Sequence, residues 1–350
     1  MSFRGAVAGL TPPDALAAAE AGALHDRLAK PRGSLGRLED VGVRLAGMAG
    51  TCPPPVPDPV VVAVFAGDHG VVDEGVTPWP QEVTAQMVAA FCAGRAAVNV
   101  LARHAGAEVL AVDVGVATDL PPAPGLLVRK VRHGTANLHR GPAMTVDQAA
   151  RALDVGAEVA ASAVDGGARC LVTGDMGIGN TTASAALIAA FTGRPPAEVT
   201  GRGTGVDDAT FLHKVGIVEV AVSRVPASAG PLDVLAALGG LEIAALAGFV
   251  VGGAAARVPV VVDGVVALAG LLAAVALAPA CVDYCVAGHR STEPGATAAL
   301  DHLGLVPLLD LGMRLGEGTG ACLAVPIVQA AAKVLGEMAT LDGAGVTGKE

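Results

Sequence analysis

Cys170-Leu171-Val172-Thr173-Gly174-Asp175-Met176-Gly177-Ile178-Gly179-Asn180-Thr181-Thr182 is the stretch that decides the fold. A short apolar run ending at Val172 leads into a glycine-rich turn, and a helical pattern follows from Ala183 to Phe191. Strand, turn and helix start in that order form an anion site. Glycines let the backbone approach a ligand, and the free N–H groups and dipole of a helix start favour negative charge. The stretch misses both common phosphate fingerprints. Gly174 to Thr181 fits G-x-x-x-x-G-K-[ST] except that Asn180 takes the lysine position; Gly177 and Gly179 open G-x-G-x-x-G, which Thr182 does not complete. Without the lysine that an NTPase directs at a β/γ-phosphate, a nucleoside monophosphate or sugar phosphate is the simpler ligand. The competing reading is a tight turn that binds nothing.

Working outward, apolar runs alternate with helical patterns. Residues 1 to about 55 read as helical: Ala15 to Ala29 first, then a helix capped by Ser34 with Leu35, Leu38, Val41, Leu45 and Met48 at helical spacing. Five prolines between Thr51 and Pro59 mark a linker. Strands are expected at Val60–Ala66, Glu108–Gly115, Leu126–Val131, Ala168–Thr173, Pro259–Gly264 and Val282–Ala287. Between them lie helices at Glu82–Ala105 and Thr145–Asp165, a further one carrying Lys214, and an apolar one starting at Glu242. This alternation predicts an α/β fold with a doubly wound parallel sheet. Polar groups recur after the strands, as Asp68, His69, Asp113, Gly174, Asp263 and His289. Ligands of such sheets bind outside the carboxyl ends of the strands.

Composition narrows the function. The 350 residues are 52% hydrophobic but 2% aromatic, with 47 glycines, so small aliphatic side chains must fill the core. A formal charge of -10 argues against nucleic-acid binding, which needs Lys and Arg for the phosphate backbone. Cys52, Cys92, Cys170, Cys281, Cys285 and Cys322 form no C-x-x-C pair, so no zinc or other metal is expected; reduced cysteines in the cytoplasm are. The N-terminal alanines are interrupted by Asp14 and Glu20, unlike a signal peptide. Gly264 to Val282 carries no formal charge over a length suited to a membrane span, but Pro279 and the lack of flanking basic residues favour a buried helix.

Three places could carry chemistry. Glu317 stands among Gly312, Gly316, Gly318 and Gly320. Its carboxyl is either a partly desolvated general base or a solvated loop acid. Trp79, the only tryptophan, follows Thr77 and Pro78 and precedes Gln86; it lines a pocket for a flat ring or staples a helix start. His69 and His289 are catalytic or hydrogen-bonded scaffolding. Asp207-Asp208 resembles the paired acids of diphosphate-using transferases, but no apolar strand leads into it. No G-x-S-x-G or H-E-x-x-H occurs. A P-loop-like NTPase or kinase and a non-enzymatic nucleotide-binding module remain as alternatives; Asn180 counts against the first and Glu317 against the second.

Five stretches together carry a resemblance. They are Lys30-Pro31-Arg32-Gly33-Ser34-Leu35-Gly36-Arg37-Leu38-Glu39; Ala66-Gly67-Asp68-His69-Gly70-Val71 with Pro80-Gln81-Glu82-Val83-Thr84; Gly174 to Thr182; Gly201-Arg202-Gly203-Thr204-Gly205; and Arg314-Leu315-Gly316-Glu317-Gly318-Thr319-Gly320. From about residue 24 to 340 the chain resembles the nicotinate-nucleotide–dimethylbenzimidazole phosphoribosyltransferases of the cobalamin pathway. The resemblance implies a Rossmann-like large domain over 56–320 with the active site, and a small helical domain built from 1–55 and 321–350. It implies a homodimer and no cofactor. The implied reaction moves the phosphoribosyl group of nicotinate mononucleotide to 5,6-dimethylbenzimidazole, giving α-ribazole 5'-phosphate and nicotinate. The donor carries one phosphate and a cationic leaving group, so neither magnesium nor a P-loop lysine is required.

Site roles follow by resemblance. Glu317 takes the ring N–H proton of dimethylbenzimidazole, and the freed nitrogen attacks C1' opposite the departing nicotinate. Gly177, Ile178, Gly179, Asn180 and Thr181, with Lys214, hold the phosphate. Asp175, Gly203 and Ser291 lie near the nicotinate and ribose; Asp263 and Glu242 contact the ribose or hold loops. Thr77, Gln86 and Leu315 line the benzimidazole pocket with Trp79 at its edge.

Overall fold

The computed structural model describes residues 1–345, so the last five residues of the 321–350 segment lie outside it. The helices are α1 (Phe3–Gly9), α2 (Ala15–His25), α3 (Arg37–Ala49), α4 (Val83–Cys92), α5 (Ala97–His104), α6 (Val146–Asp165) and α7 (Asn180–Thr192). They continue as α8 (Pro196–Val199), α9 (Asp208–Ser223), α10 (Pro231–Leu238), α11 (Leu241–Ala255), α12 (Val265–Leu277), α13 (Pro294–Leu303) and α14 (Thr319–Glu337). The strands are β1 (Val60–Gly67), β2 (Ala107–Gly115), β3 (Leu126–Val128), β4 (Cys170–Met176), β5 (Val260–Val262) and β6 (Cys285–Ala287). They pair in parallel in the order β3-β2-β1-β4-β5-β6. The chain therefore winds outward both ways from β1 and β4, and the crevice between their carboxyl ends is where such a sheet binds ligands.

Glycine and alanine explain how so few aromatic rings fill the core. Helix α11 is buried along nearly its whole length and crosses α6 in direct backbone contact. A Cβ on Gly156 would overlap the Ala245 carbonyl oxygen, and one on Gly248 the Leu153 carbonyl oxygen. Phe65 and Phe249 form an edge-on aromatic pair, with ring centroids 5.3 Å apart. Gly156→Ala is expected to force these helices apart at a cost of about 1–3 kcal/mol, as overpacking does. Urea unfolding should show a lower midpoint at unchanged slope; an unchanged midpoint would refute the contact.

At the chain ends, α3 packs against α14 and α2. Leu28 and Thr340 form an antiparallel bridge, and the Ala29 N–H donates to Ala339 O at 2.9 Å. Val41, Leu45 and Met48 of α3 share the core cluster of the sheet, while Ala21, Ala46 and Leu335 form a smaller separate one.

Several elements differ from the sequence expectation. The single helix expected over Glu82–Ala105 is two, α4 and α5, because Gly94 adopts a left-handed φ of 70°. Strand β4 runs on past Thr173 to Met176, held in register by β1 up to Ala66 opposite Met176, so the turn begins at Gly177 and α7 at Asn180. Ser34 does not cap α3. Its N-cap is Gly36, and Glu39 Oε1 instead accepts the Leu35 N–H at 3.0 Å and Lys30 Nζ at 2.7 Å. Strands β3 and β6 pair over only three residues each, with Pro279–Tyr284 forming a 3-10 turn before β6. The uncharged stretch after Asp263 becomes α12, a buried helix of 13 residues, short of the roughly 20 needed to cross a bilayer.

Candidate active site

A cavity of about 320 Å³ opens at the carboxyl ends of the central strands. Its walls come from the entry to α4, the turn Gly177–Gly179 and the start of α7, the Gly203 loop, the segment around Ser291, and Arg314 to Glu317. Of the residues expected from sequence, Trp79, Asp175, Gly177, Ile178, Asn180, Thr181, Gly203, Ser291, Leu315 and Glu317 line it.

At one end a buried ammonium meets the start of α7. The Lys214 ammonium, buried on α9, donates to Thr181 Oγ1 at 2.8 Å. Burial lowers its pKa to about 8, and the carboxylate of Glu293 works in the opposite direction. A Cβ on Gly203 would come within 2.9 Å of Thr181 Oγ1 and 3.5 Å of Lys214 Nζ, so loop, threonine and lysine converge. Glu293 Oε1 accepts the Gly203 N–H at 2.9 Å, and Arg314 donates to Gly203 O at 2.8 Å. Within the turn, the Ile178 N–H is taken by Thr84 Oγ1 and the Asn180 N–H by Gly177 O, both at 3.1 Å. The Asn180 side chain points elsewhere, donating to Asp175 Oδ2 at 2.9 Å. The cation missing from position 180 is thus delivered by α9.

The other end holds two carboxyls. Glu317 has a φ of 64° between Gly316 at 86° and Gly318 at 93°. A non-glycine residue held there costs about 1–3 kcal/mol, strain of the kind that gathers at functional sites. The loop lies directly on β4: a Cβ on Gly174 would come within 2.5 Å of Glu317 O. Glu317 Oε2 accepts the Val98 N–H at 3.2 Å, at the N-terminus of α5 that the break at Gly94 creates. Burial pushes the Glu317 carboxyl above the ordinary carboxylate range; the Val98 N–H opposes this and the charge of Asp263 adds to it. Asp175 is pushed well above that range, by burial first and then by the charges of Asp263 and Glu242, with the Asn180 amide opposing. Two carboxyls whose pKa values burial raises therefore face one cavity.

Val83, Met87, Met176 and Leu315 supply an apolar wall beside them, with Trp79 half exposed at the mouth. Thr77 and Gln86 are not part of the lining. Thr77 Oγ1 accepts the Trp79 N–H at 3.3 Å, and Gln86 is exposed on α4, where Val83 and Met87 turn inward instead. Their i, i+4 spacing was legible, but choosing that face required knowing where α4 begins. Glu293 and Arg314 went unassigned because their partner, the Gly203 loop, is distant in sequence.

Gly179, Lys214 and Asp263 stand behind the lining. Gly179 is the left-handed N-cap of α7, with a φ of 92°. Glu242 lies deeper, 2.7 Å from His69 Nε2, with both side chains fully buried beneath the turn. Burial disfavours a charged imidazole there, but the Glu242 carboxylate outweighs it and raises the His69 pKa. Asp68 Oδ2 accepts the Ala117 N–H at 2.7 Å, and Asp113 pairs with Lys130 at 3.0 Å, so these two hold loops. His289 lines the cavity.

A phosphoribosyltransferase family model matches residues 10–346. The nicotinate-nucleotide–dimethylbenzimidazole phosphoribosyltransferase of Salinispora tropica is 56% identical, with all of both chains covered. The protein of the same name from Chloroflexus aggregans is 54% identical over 97% of this chain and 96% of its own. The solved structure of that phosphoribosyltransferase from Thermus thermophilus is 49% identical, covers 96% of this chain and 100% of its own, and superposes with a TM-score of 0.92. Fold and site thus define an enzyme of the pentosyltransferase class, in which a helix start backed by a buried lysine faces a buried carboxylate across one cavity. The chain belongs to the nicotinate-nucleotide–dimethylbenzimidazole phosphoribosyltransferase family.

Proposed function

We propose that this enzyme transfers the phosphoribosyl group of nicotinate mononucleotide to 5,6-dimethylbenzimidazole, releasing nicotinate and α-ribazole 5'-phosphate for the nucleotide loop of cobalamin. The observation that carries this reading is Glu317, held in a left-handed turn at one end of a cavity whose other end is Thr181, backed by the buried Lys214. The donor phosphate sits on Thr181, Lys214 and the free N–H groups at the start of α7. The acceptor ring lies between Trp79, Met87 and Leu315. Its nitrogen attacks C1' as the bond to nicotinate breaks on the far side, and Glu317 takes the ring proton. Asp175 faces the ribose and the nicotinate ring. Holding both rings in line across C1' contributes the entropic part of the acceleration.

We further read 56–320 as the catalytic domain and the two chain ends as a helical one. A cytoplasmic homodimer fits the apolar side chains left exposed, such as Leu212 on α9; sedimentation at several concentrations tests it.

Incubation with nicotinate mononucleotide and dimethylbenzimidazole is expected to give α-ribazole phosphate, identified by mass and chromatography. Absence of that product would sink the reading. Turnover is expected to persist in excess EDTA, because one phosphate and a cationic leaving group leave no diphosphate to neutralise. Loss that magnesium restores would point to a diphosphate or NTP donor.

A further inference from the structure

We propose that Asp263 is a positioning residue: its two carboxylate oxygens clamp the start of α14 and so hold the left-handed turn that aims Glu317 into the cavity. This deepens the reading above and rests on it.

A helix start leaves N–H groups that need acceptors. The N-cap of α14 is Gly318, which has no side chain to offer. Asp263, beyond the end of β5, supplies both acceptors: Oδ2 takes the Gly318 N–H at 3.1 Å and Oδ1 the Ala321 N–H at 2.9 Å. The first of these bonds is to the residue directly after Glu317. Turning Glu317 to an ordinary backbone conformation would swing the Gly318 N–H away and break it. Asp263 is 1% exposed and does not line the cavity, so its oxygens are spent on the protein. It is fixed in turn by Thr173 Oγ1, which accepts its N–H at 3.0 Å. His289 Nε2 lies 3.3 Å from Oδ1, a charge contact outside hydrogen-bond geometry. The His289 ring also abuts Gly320, where any side chain would collide with it.

A carboxylate suits this place better than an amide. Two N–H donors need two acceptors, and negative charge is favoured at a helix N-terminus. Asparagine would turn one NH₂ group toward an N–H. Asp263→Asn also removes one charge from those facing Glu317. The other titratable and charged groups around the cavity are Asp175 at the end of β4, His289 after β6, and Glu293 and Arg314 in the cavity wall.

The test is a cycle of Asp263→Asn, Glu317→Gln and the double variant, assayed with nicotinate mononucleotide and dimethylbenzimidazole. Asp263→Asn is expected to lower kcat by about tenfold or more while KM for nicotinate mononucleotide stays within about threefold. Its acid limb should move to lower pH, because a negative charge that raises the Glu317 pKa is gone. The double variant should fall no more than about twofold below Glu317→Gln, since a residue acting only through Glu317 has nothing left to act on. Losses that multiply would overturn the inference. So would a raised KM at unchanged kcat, which would place Asp263 on the ribose. If Asp263→Asn does not fold, Thr173→Val and Thr173→Ser carry the test. Valine should lower kcat several-fold and serine should restore it; equal activity of both with the wild type overturns the inference. Wild-type protein that makes no α-ribazole phosphate would instead remove the underlying reading, and this inference with it.

Discussion

Glu317→Gln is expected to lower kcat by about 10²-fold, at the lower end of the 10² to 10⁴ that proton transfer typically contributes. Glutamine keeps the shape and an oxygen for the Val98 N–H, so the fold and KM should change little. It cannot take a proton. The loss is held to the lower end because a benzimidazole already carries one unprotonated ring nitrogen, and because Asp175 lines the same cavity. The double variant with Asp175→Asn should therefore lose more than either single one. The pH dependence has a definite sign. Glu317 works as a carboxylate, and burial holds its pKa above the ordinary carboxylate range. Activity should rise with pH through that raised value, and this limb should vanish in Glu317→Gln. Steady-state rates across pH check both points; unchanged kcat in both variants would remove proton transfer to these carboxyls from the mechanism.

Lys214→Met is expected to act on binding. A hydrogen bond to a charged group contributes about 1.5–3 kcal/mol, so KM for nicotinate mononucleotide should rise about 10- to 150-fold, with kcat much less affected. Because burial lowers the Lys214 pKa to about 8, kcat/KM for this substrate should fall as pH rises above that value and the ammonium loses its proton. Lys214→Arg, which keeps its charge, should lack that fall even if its own binding is weaker. A Lys214→Met variant with wild-type KM would take the phosphate off Thr181 and Lys214. Thermal unfolding of each variant separates these effects from stability, since removing a buried lysine relieves a desolvation cost.

Much of the fold was legible because its signals are local. The apolar run from Val60 to Ala66 reads as a buried parallel strand wherever it is placed, and the helix expected over Thr145–Asp165 forms as α6, where Thr145 caps it with Gln148 returning the bond. The errors fell where a distant contact overrides a local pattern. Helical periodicity runs through Gly94, yet the chain breaks there and gives α5 its own N-terminus. Gly174 looks like the start of a turn, but β1 holds it in a strand over which the Glu317 backbone passes.

The candidate site divides in the same way. Gly177 to Thr181 and Glu317 could be singled out because glycines, a helix start and a lone acid are visible residue by residue, whereas Lys214 entered only through the family resemblance. Thr77 and Gln86 were placed at the cavity by pattern and stand outside its lining; the i, i+4 pair Val83 and Met87 takes that place because of where α4 begins, and Glu293 and Arg314 took places that no spacing revealed.

The sequence by itself determined the alternation of strands and helices, the glycine-rich strand-to-helix turn with no lysine, and the motifs that carry the family. Only the tertiary structure decided what surrounds those residues. It brought Val98 to Glu317 across 219 residues, supplied from α9 the cation absent at Asn180, and set Asp263 behind the loop. The physical reason is burial. Whether Glu317 is a solvated loop acid or a desolvated base depends on water being excluded by segments far away in the chain, and a local pattern carries no record of that.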